Sequence, residues 1–371
     1  MILALNLILE RYYNRDVVHT FINLTFFILA IVLSNLLIRL FNEAYSNGFG
    51  VDVVFKYVIL TIPQDLAYLL PITISLSITL CFGKYFSNNE MFVTLAGGIT
   101  WAQIIKNLLK PILFISFIAL CLSMYILPFS NQTTMIFQTS LAAKTMLQAV
   151  SDKKIIKIPN GTITGYIGQK DDDFLKDIFL YQIGSPKYTV ITAPTGHIAS
   201  ESNSSSIILD NANIYTINPI TNETSYGTAV KAEDIMYQQS KDYQRDNFNK
   251  FYPGELITNI LQSSNSTYKR YALTELVTRF GSFFTVIIAA ILALSMCRLR
   301  PRQNKYAKLL PSAAVLSIYL SASMFVNTLM LSGTIPIWIG AWICHAIFGS
   351  IAIYNLRKQN GSEKIKKLKR K

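Results

Sequence analysis

The sequence predicts an α-helical polytopic membrane protein with six transmembrane helices, three before and three after an inserted all-β, jelly-roll-like domain. Three observations carry this. Apolar stretches long enough to cross a hydrocarbon core about 30 Å thick occur six times, in two groups of three. A polar interior from about Pro128 to Tyr271 separates the groups. Hydrophobic residues make up 51% of the 371 and mean hydropathy is +0.35, as expected of a chain that buries much of its surface in lipid.

The six spans read as Val17–Leu40, Val53–Phe82, Asn107–Leu127, Leu276–Met296, Tyr306–Leu331 and Ile335–Leu356. The second is long enough to need tilt, or a bend near Pro63 and Pro71. The apolar stretch after Arg15 is too long for a cleaved signal, and no small-residue cleavage site follows it, so the first span is expected to be retained. Met1 to Leu9, apolar before Glu10 and Arg11, fits a short helix lying at the membrane surface.

Net charge is +13, from 34 Lys and Arg against 21 Asp and Glu. Such a balance can signal nucleic acid, but its placement points to membrane orientation instead. Arg11 and Arg15 precede the first span, and Lys84, Lys106 and Lys110 lie between the second and third. Arg298, Arg300, Arg302 and Lys305 lie between the fourth and fifth, and a basic tail runs from Arg357 to Lys371. Six crossings put all four segments on one side, so the positive-inside rule predicts cytoplasmic termini and an external insert.

Within the insert, from Lys153 to Tyr243, short segments rich in Ile, Val, Tyr, Phe and Thr alternate with Gly, Pro, Asn, Asp and Ser. This is β punctuation. Strands are expected at Asp177–Ile183, Tyr188–Ala193, Ser206–Leu209 and Ile214–Ile217, parted by Gly184-Ser185-Pro186, a loop at Thr195-Gly196 and a turn at Asp210-Asn211. Strands so spaced suggest a sandwich or jelly roll. Helices are expected at Asn131–Val150 and Gly254–Ser264. The domain plan is therefore a membrane half over residues 1–128, a β domain with flanking helices over 129–270, a second membrane half over 271–356 and a tail over 357–371.

Several chemistries find no support. No G-x-x-x-x-G-K-[ST] loop is present to cradle phosphates, so the chain is not expected to hydrolyse ATP. No G-x-S-x-G elbow appears. Cys81, Cys121, Cys297 and Cys344 fall in or beside apolar spans, where they read as buried small residues rather than disulfide partners. His19, His197 and His345 lack ligand spacing, so no metal is expected. Sequons at Asn131, Asn160, Asn203, Asn222 and Asn265 are common chance products in a chain rich in Asn, Ser and Thr.

Between the second and third spans, Ser87 to Trp101 is too polar to cross a membrane, yet Met91, Leu95 and Ile99 recur at helical spacing. An amphipathic helix over about 87–101 follows. Gly97 and Gly98 would let another backbone approach closely. Asp65 sits in an apolar run two residues after Pro63, where a carboxylate must face water or a partner; it faces the interior or is a structural group near the outer surface. Glu275 and Arg279 are four apart on one helical face and suited to pair with each other. Arg39, Lys56, Lys269 and Arg270 lie on the side where the charge rule disfavours them. They either bind phosphates through charge-assisted hydrogen bonds or snorkel to anionic headgroups.

Pieces spread over the whole length resemble the LptF/LptG lipopolysaccharide-export permeases. They are Glu10-Arg11-Tyr12, Ile62-Pro63, Leu70-Pro71, Gly83-Lys84-Tyr85, Asn89-Glu90-Met91 and Ala96-Gly97-Gly98. Further on come Leu175 to Ile183, Glu275-Leu276 with Arg279, Arg300-Pro301-Arg302-Gln303 and Leu309-Leu310-Pro311. The strand and the Pro301 loop lean toward the LptF branch. The resemblance implies an inner-membrane permease subunit of an ABC transporter, paired with a second such permease on a cytoplasmic ATPase dimer that binds ATP and magnesium. It also implies a periplasmic β domain that hands lipopolysaccharide to LptC- and LptA-type bridge proteins. This chain itself then holds no cofactor. The Ser87–Trp101 helix becomes a coupling helix with Glu90, Met91, Leu95, Gly97 and Gly98 at the ATPase; otherwise it is a surface helix with a solvated Glu90. The resemblance also strengthens Arg39 as a substrate contact. Competing readings are a transport subunit for another envelope lipid or lipoprotein, and a membrane enzyme modifying envelope lipids, which would need a reactive cluster where the sequence offers dispersed carboxylates.

Overall fold

The computed structural model describes residues 2–47, 50–135, 156–157, 163–171, 174–183, 188–201, 204–218, 223–232, 248–263, 265–299 and 303–368. Among the described residues six helices are long and apolar enough to cross a membrane, and each overlaps one expected span: Ile8–Asn42, Val51–Ser87, Trp101–Met135, Ser266–Met296, Leu309–Ser332 and Ile337–Gln359. The first four helices are α1 (Ile2–Asn47), α2 (Val51–Ser87), α3 (Glu90–Ala96) and α4 (Trp101–Cys121), the last continuing through a π-helical turn at Leu122–Ile126 as far as Met135. After the β domain come α5 (Pro253–Gln262), α6 (Ser266–Met296), α7 (Leu309–Ser332) and α8 (Ile337–Leu368).

Three differences from expectation have local causes. The surface helix expected over Met1–Leu9 is the first part of α1, because no Pro or Gly interrupts the chain before Gly48. Pro63 and Pro71 lie inside α2, which runs unbroken past both. The amphipathic helix expected over Ser87–Trp101 is only α3: Gly98 adopts φ +96°, ending it, while Thr100 caps α4 so that Trp101 opens the next span. The Thr100–Gln103 capping box is reciprocal, with Gln103 N to Thr100 Oγ1 at 3.4 Å and Thr100 N to Gln103 Oε1 at 2.8 Å. Of the helix expected over Asn131–Val150, the portion past Met135 lies outside the described residues. Asn265, one of the sequons, caps α6 by accepting from the Thr267 and Tyr268 amides.

The chain divides into two compact units. Met1–Leu37, Thr61–Asn131 and Gln244–Lys371 form the first; Ile38–Leu60 and Gln132–Tyr243 form the second. In the first, α2 is the central helix, with 67% of its apolar stretch buried against 6% for α1. Lipid is as apolar as Leu, so packing rather than hydrophobicity must drive these helices together. α6 shows how. Val286, Ala290, Ala293 and Leu294 join a core with α1, α2 and α4, while Ile288, Ala289 and Leu292 join another with α7 and α8. Alanines on both faces allow close approach. Buried hydroxyls on α2 return to their own helix, as Thr73 to Leu69 O (3.0 Å) and Ser77 to Ile74 O (2.9 Å), or bridge helices, as Thr79 with Ser312 of α7 (3.0 Å). Just before the π turn of α4, Ala119 O accepts from Ser282 of α6 at 3.4 Å, a carbonyl used between helices where the helical ladder changes.

In the second unit the described strands, β1 (Ile156–Lys157), β2 (Ile163–Asp171), β3 (Phe174–Ile183), β4 (Tyr188–Glu201), β5 (Ser204–Asn218) and β6 (Glu223–Ala232), form one antiparallel sheet. Each pairs with its neighbours in chain order. An inserted β domain is thus present, but the described connectivity is a meander, simpler than a sandwich or jelly roll, whose Greek keys place non-consecutive strands side by side. The loop expected at Thr195-Gly196 lies inside β4, which runs on past Ala193, and the turn expected at Asp210-Asn211 lies inside β5, which joins two segments read as separate. The Gly184-Ser185-Pro186 loop lies outside the described residues.

The reason is a crease. Gly168, Asp177, Pro194, Asn211 and Val230 are in register across β2 to β6, and each pairing ladder skips its pair there. Asp177 and Asn211 adopt φ 55°, a left-handed conformation tolerated best by Asp and Asn, and Pro194 has no N–H to offer. A single left-handed residue reverses which face its neighbours present. The buried positions accordingly change parity on crossing it, from Leu175 to Ile178 and Leu180, and from Leu209 to Ala212. All strands reverse together, so one apolar face survives the bend.

Candidate functional site

The basic segments flagged by the sequence meet at one end of the first unit. Lys110 of α4 contacts Glu10 of α1 at 2.6 Å, and Arg298 Nη1 donates to Gln359 O at 3.4 Å. Gly83, near the end of α2, lies so close to the Lys305 backbone carbonyl that a Cβ there would stand 2.2 Å from it. Only glycine allows the loop between α6 and α7 this near.

α3 is held on that end by its inward side. Met91 is fully buried, Ile99 and Trp101 are buried behind it, and Phe92 and Leu95 pack against the same core. An aromatic cluster surrounds them: Tyr13 with Tyr85 (4.9 Å between centroids), Phe82 with Trp101 (5.4 Å) and Phe86 with Phe92 (5.5 Å). The opposite side faces outward. Val93 is 69% exposed, and Ala96, Gly97 and Gly98 are exposed beside it, with open space where a Gly98 Cβ would be. Glu90 sits between the two sides, half-buried, accepting from Asn88 Nδ2 (3.1 Å) and from Tyr12 Oη of α1 (3.2 Å). Of the five residues singled out on this segment, Met91 and Leu95 are therefore inward, anchoring the helix, while Glu90, Gly97 and Gly98 border open surface. Sequence reasoning missed Tyr12, Tyr13, Asp16 and Tyr85, whose hydroxyls and carboxylate bind this helix and its flanks; only the Glu10-Arg11-Tyr12 and Gly83-Lys84-Tyr85 pieces hinted at them.

Glu275 and Arg279 form a pair at 2.9 Å, with Arg279 2% exposed. The guanidinium also donates to the Phe251 (2.7 Å), Phe248 (3.0 Å) and Asn249 (3.0 Å) carbonyls. Asn249, its amide nitrogen turned to the carboxylate, donates to both Glu275 oxygens at 3.0 and 3.1 Å. The arrangement clamps the segment entering α5 to the first half of α6. Asp65 is half-buried on α2.

The four basic residues that the charge rule disfavours divide between the units. Arg39 and Lys56 are exposed in the second, where Phe41 of α1 and Phe55 of α2 meet edge-on at 6.3 Å. Lys269 and Arg270 are half-buried on the first turns of α6, and the Arg270 guanidinium lies against the Gly333 turn between α7 and α8, its buried Nε bonded to none of the described residues. A cavity of about 80 Å³ between α6, α7 and α8 is lined by the neutral groups of Thr278, Thr285, Ser323 and Asn327 and by His345, whose Nδ1 is taken by Tyr319 Oη at 2.8 Å. Beyond the end of α6, burial pushes the Cys297 thiol well up, and it donates to Leu294 O at 3.3 Å, so it is a packing residue rather than a nucleophile.

Fold and site define a multi-pass membrane protein of six apolar helices, with an antiparallel β domain between the third and fourth and a short outward-facing helix between the second and third. Residues 11–358 match the model of the lipopolysaccharide export system permease LptF/LptG family, and the chain belongs to that family. It is a family of transport permeases, not enzymes. The lipopolysaccharide export system permease proteins LptF of Escherichia coli strain K12 and of Shigella flexneri are each 22% identical over 353 residues, covering 94% of this chain and 94% of theirs.

Proposed function

We propose that this chain is a permease subunit of an ABC transporter that extracts lipopolysaccharide from the inner membrane and passes it to a periplasmic bridge. A second permease of the same family completes the membrane cavity, and a cytoplasmic ATPase dimer hydrolyses ATP with magnesium. Both termini and the loop between α6 and α7 are cytoplasmic, and the β domain is periplasmic. The observation that carries the reading is α3. A seven-residue helix anchored by Met91 yet presenting Glu90, Val93 and the Gly97-Gly98 surface is shaped to seat in another protein. A buried apolar anchor with an acidic exposed edge suits a basic groove on the ATPase.

Arg39 and Lys56 in the second unit, and Lys269 and Arg270 in the first, are each proposed contacts for lipid phosphates, through charge-assisted hydrogen bonds. Arg270 has the strongest support, because its buried Nε seeks an acceptor. The test is purification of the chain with its membrane partners. Co-purification of an ATPase whose hydrolysis rises with lipopolysaccharide supports the reading; its absence overturns it. Orientation is tested by membrane-impermeant thiol labelling of Ser204→Cys in a background without the native four cysteines. Labelling in intact spheroplasts is expected, and protection reverses the topology.

A further inference from the structure

One short segment of α1 ties together the elements around α3. Glu10 binds Lys110 of α4 (2.6 Å), and Tyr12 donates to Glu90 of α3 (3.2 Å). Tyr13 shares a hydrogen bond with Thr94 of α3 (3.0 Å), and Asp16 accepts from Tyr85 of α2 (2.8 Å) with Lys84 of α2 at 3.6 Å. Seven residues of one helix thus bond three other helices. From there α1 is attached along a single stripe, Tyr13, Val17, Phe21 and Thr25, each four residues after the last. Beyond Thr25 none of the residues through Leu37 is buried, and Phe26 and Phe27 are strongly exposed. At 1.5 Å per residue, this less buried stretch is about 18 Å long.

We propose that the base of α1 is a positioning hub that fixes Glu90 and ties α1 directly to the movement of α3. The inference rests on the coupling role given to α3 above. Tyr12 limits the Glu90 carboxylate to one placement. Tyr13 holds the next turn of α3, and the Tyr85–Asp16–Lys84 set prevents α1 from sliding along α2. A displacement of α3 therefore carries the base of α1 with it. At this exposure each of these hydrogen bonds is weak on its own; what holds the segment is the number of bonds that converge on it.

The test uses the full assembly in proteoliposomes holding lipopolysaccharide, with Tyr12→Phe and Tyr85→Phe, which keep the rings and remove the hydroxyls. Both variants should keep the ATPase bound but move several-fold less lipid per ATP hydrolysed. In a background without native cysteines, Tyr13→Cys and Thr94→Cys joined by a short bifunctional thiol cross-linker should restore transport relative to the same pair left unlinked, since the two helices travel together. Normal lipid per ATP in both Phe variants, or transport abolished by the cross-link, overturns the hub. Retention of the ATPase by Glu90→Lys overturns instead the coupling role on which the hub rests.

Discussion

Glu275 and Glu90 are both carboxylates that a second helical element helps to hold, but they differ in what surrounds them. Glu275 is 6% exposed, paired with a guanidinium whose remaining donors go to three backbone carbonyls, and bonded by Asn249. Glu90 shares its oxygens between Asn88 and a tyrosine that is itself exposed, and it borders open surface. The first is buried with its partners all inside the fold, so its work is done when the chain folds. The second is oriented but not enclosed, which leaves one carboxylate edge for another molecule. Burial among inward partners, more than charge, separates the two.

The sharpest way to break this comparison is Arg279→Met. It leaves Glu275 buried without its cation, and removing one partner of a buried pair costs about 3–5 kcal/mol. Thermal unfolding in detergent should show a large loss, with Glu275→Gln added to Arg279→Met recovering part of it. A near-normal midpoint for the single variant would mean that the clamp is not structural. Gly83→Ala comes next. Alanine normally stabilises a helix interior by about 1 kcal/mol over glycine, but here its Cβ meets the Lys305 carbonyl, so the sign should reverse to a loss of about 1–3 kcal/mol, the usual range for overpacking. The same unfolding measurement decides it.

Glu90→Lys sharpens the contrast. Because it removes a half-buried carboxylate that accepts from Asn88 and Tyr12, it should cost about 1–2 kcal/mol of stability and leave the fold intact, while co-purification of the ATPase is lost. Unchanged association would return Glu90 to a solvated role. Smallest in its effect on the fold is Arg39→Glu, on an exposed position of α1. Assembly should be intact, lipopolysaccharide cross-linking and lipid-stimulated ATP hydrolysis should fall, and Arg39→Lys should be milder because it keeps the charge but not the bidentate geometry. Export at the normal rate by Arg39→Glu would leave Arg39 as a headgroup anchor only.

Much of the β domain was legible as strands but not as a sheet. Asp210-Asn211 has the composition of a turn, and local chemistry alone favours that reading. The chain instead passes straight through, because Asn211 stands opposite Pro194, which stands opposite Asp177, and five strands bend along one line. No residue announces that its counterpart on another strand is equally irregular. The surface helix at the amino terminus was misjudged for a related reason: Glu10 and Arg11 suggested a boundary, yet Glu10 is matched by Lys110, a residue 100 positions away.

The sequence by itself determined the six spans, the break between the third and fourth, the β character of the insert, and the grouping of positive charge in alternate connections. These follow from composition over tens of residues and from the cost of placing polar groups in lipid, which no tertiary contact overrides. The i, i+4 pairing of Glu275 with Arg279 was also legible, being set by helical geometry alone. Only the tertiary structure decided that this pair is a buried clamp on the Phe248–Phe251 carbonyls, that α3 is seven residues long, and that Glu10, Tyr12, Tyr13 and Asp16 gather three helices onto the base of α1. Those outcomes depend on side chains far apart in sequence meeting at hydrogen-bond distance, and a hydrogen bond's partner is fixed by position in space, which local periodicity does not encode.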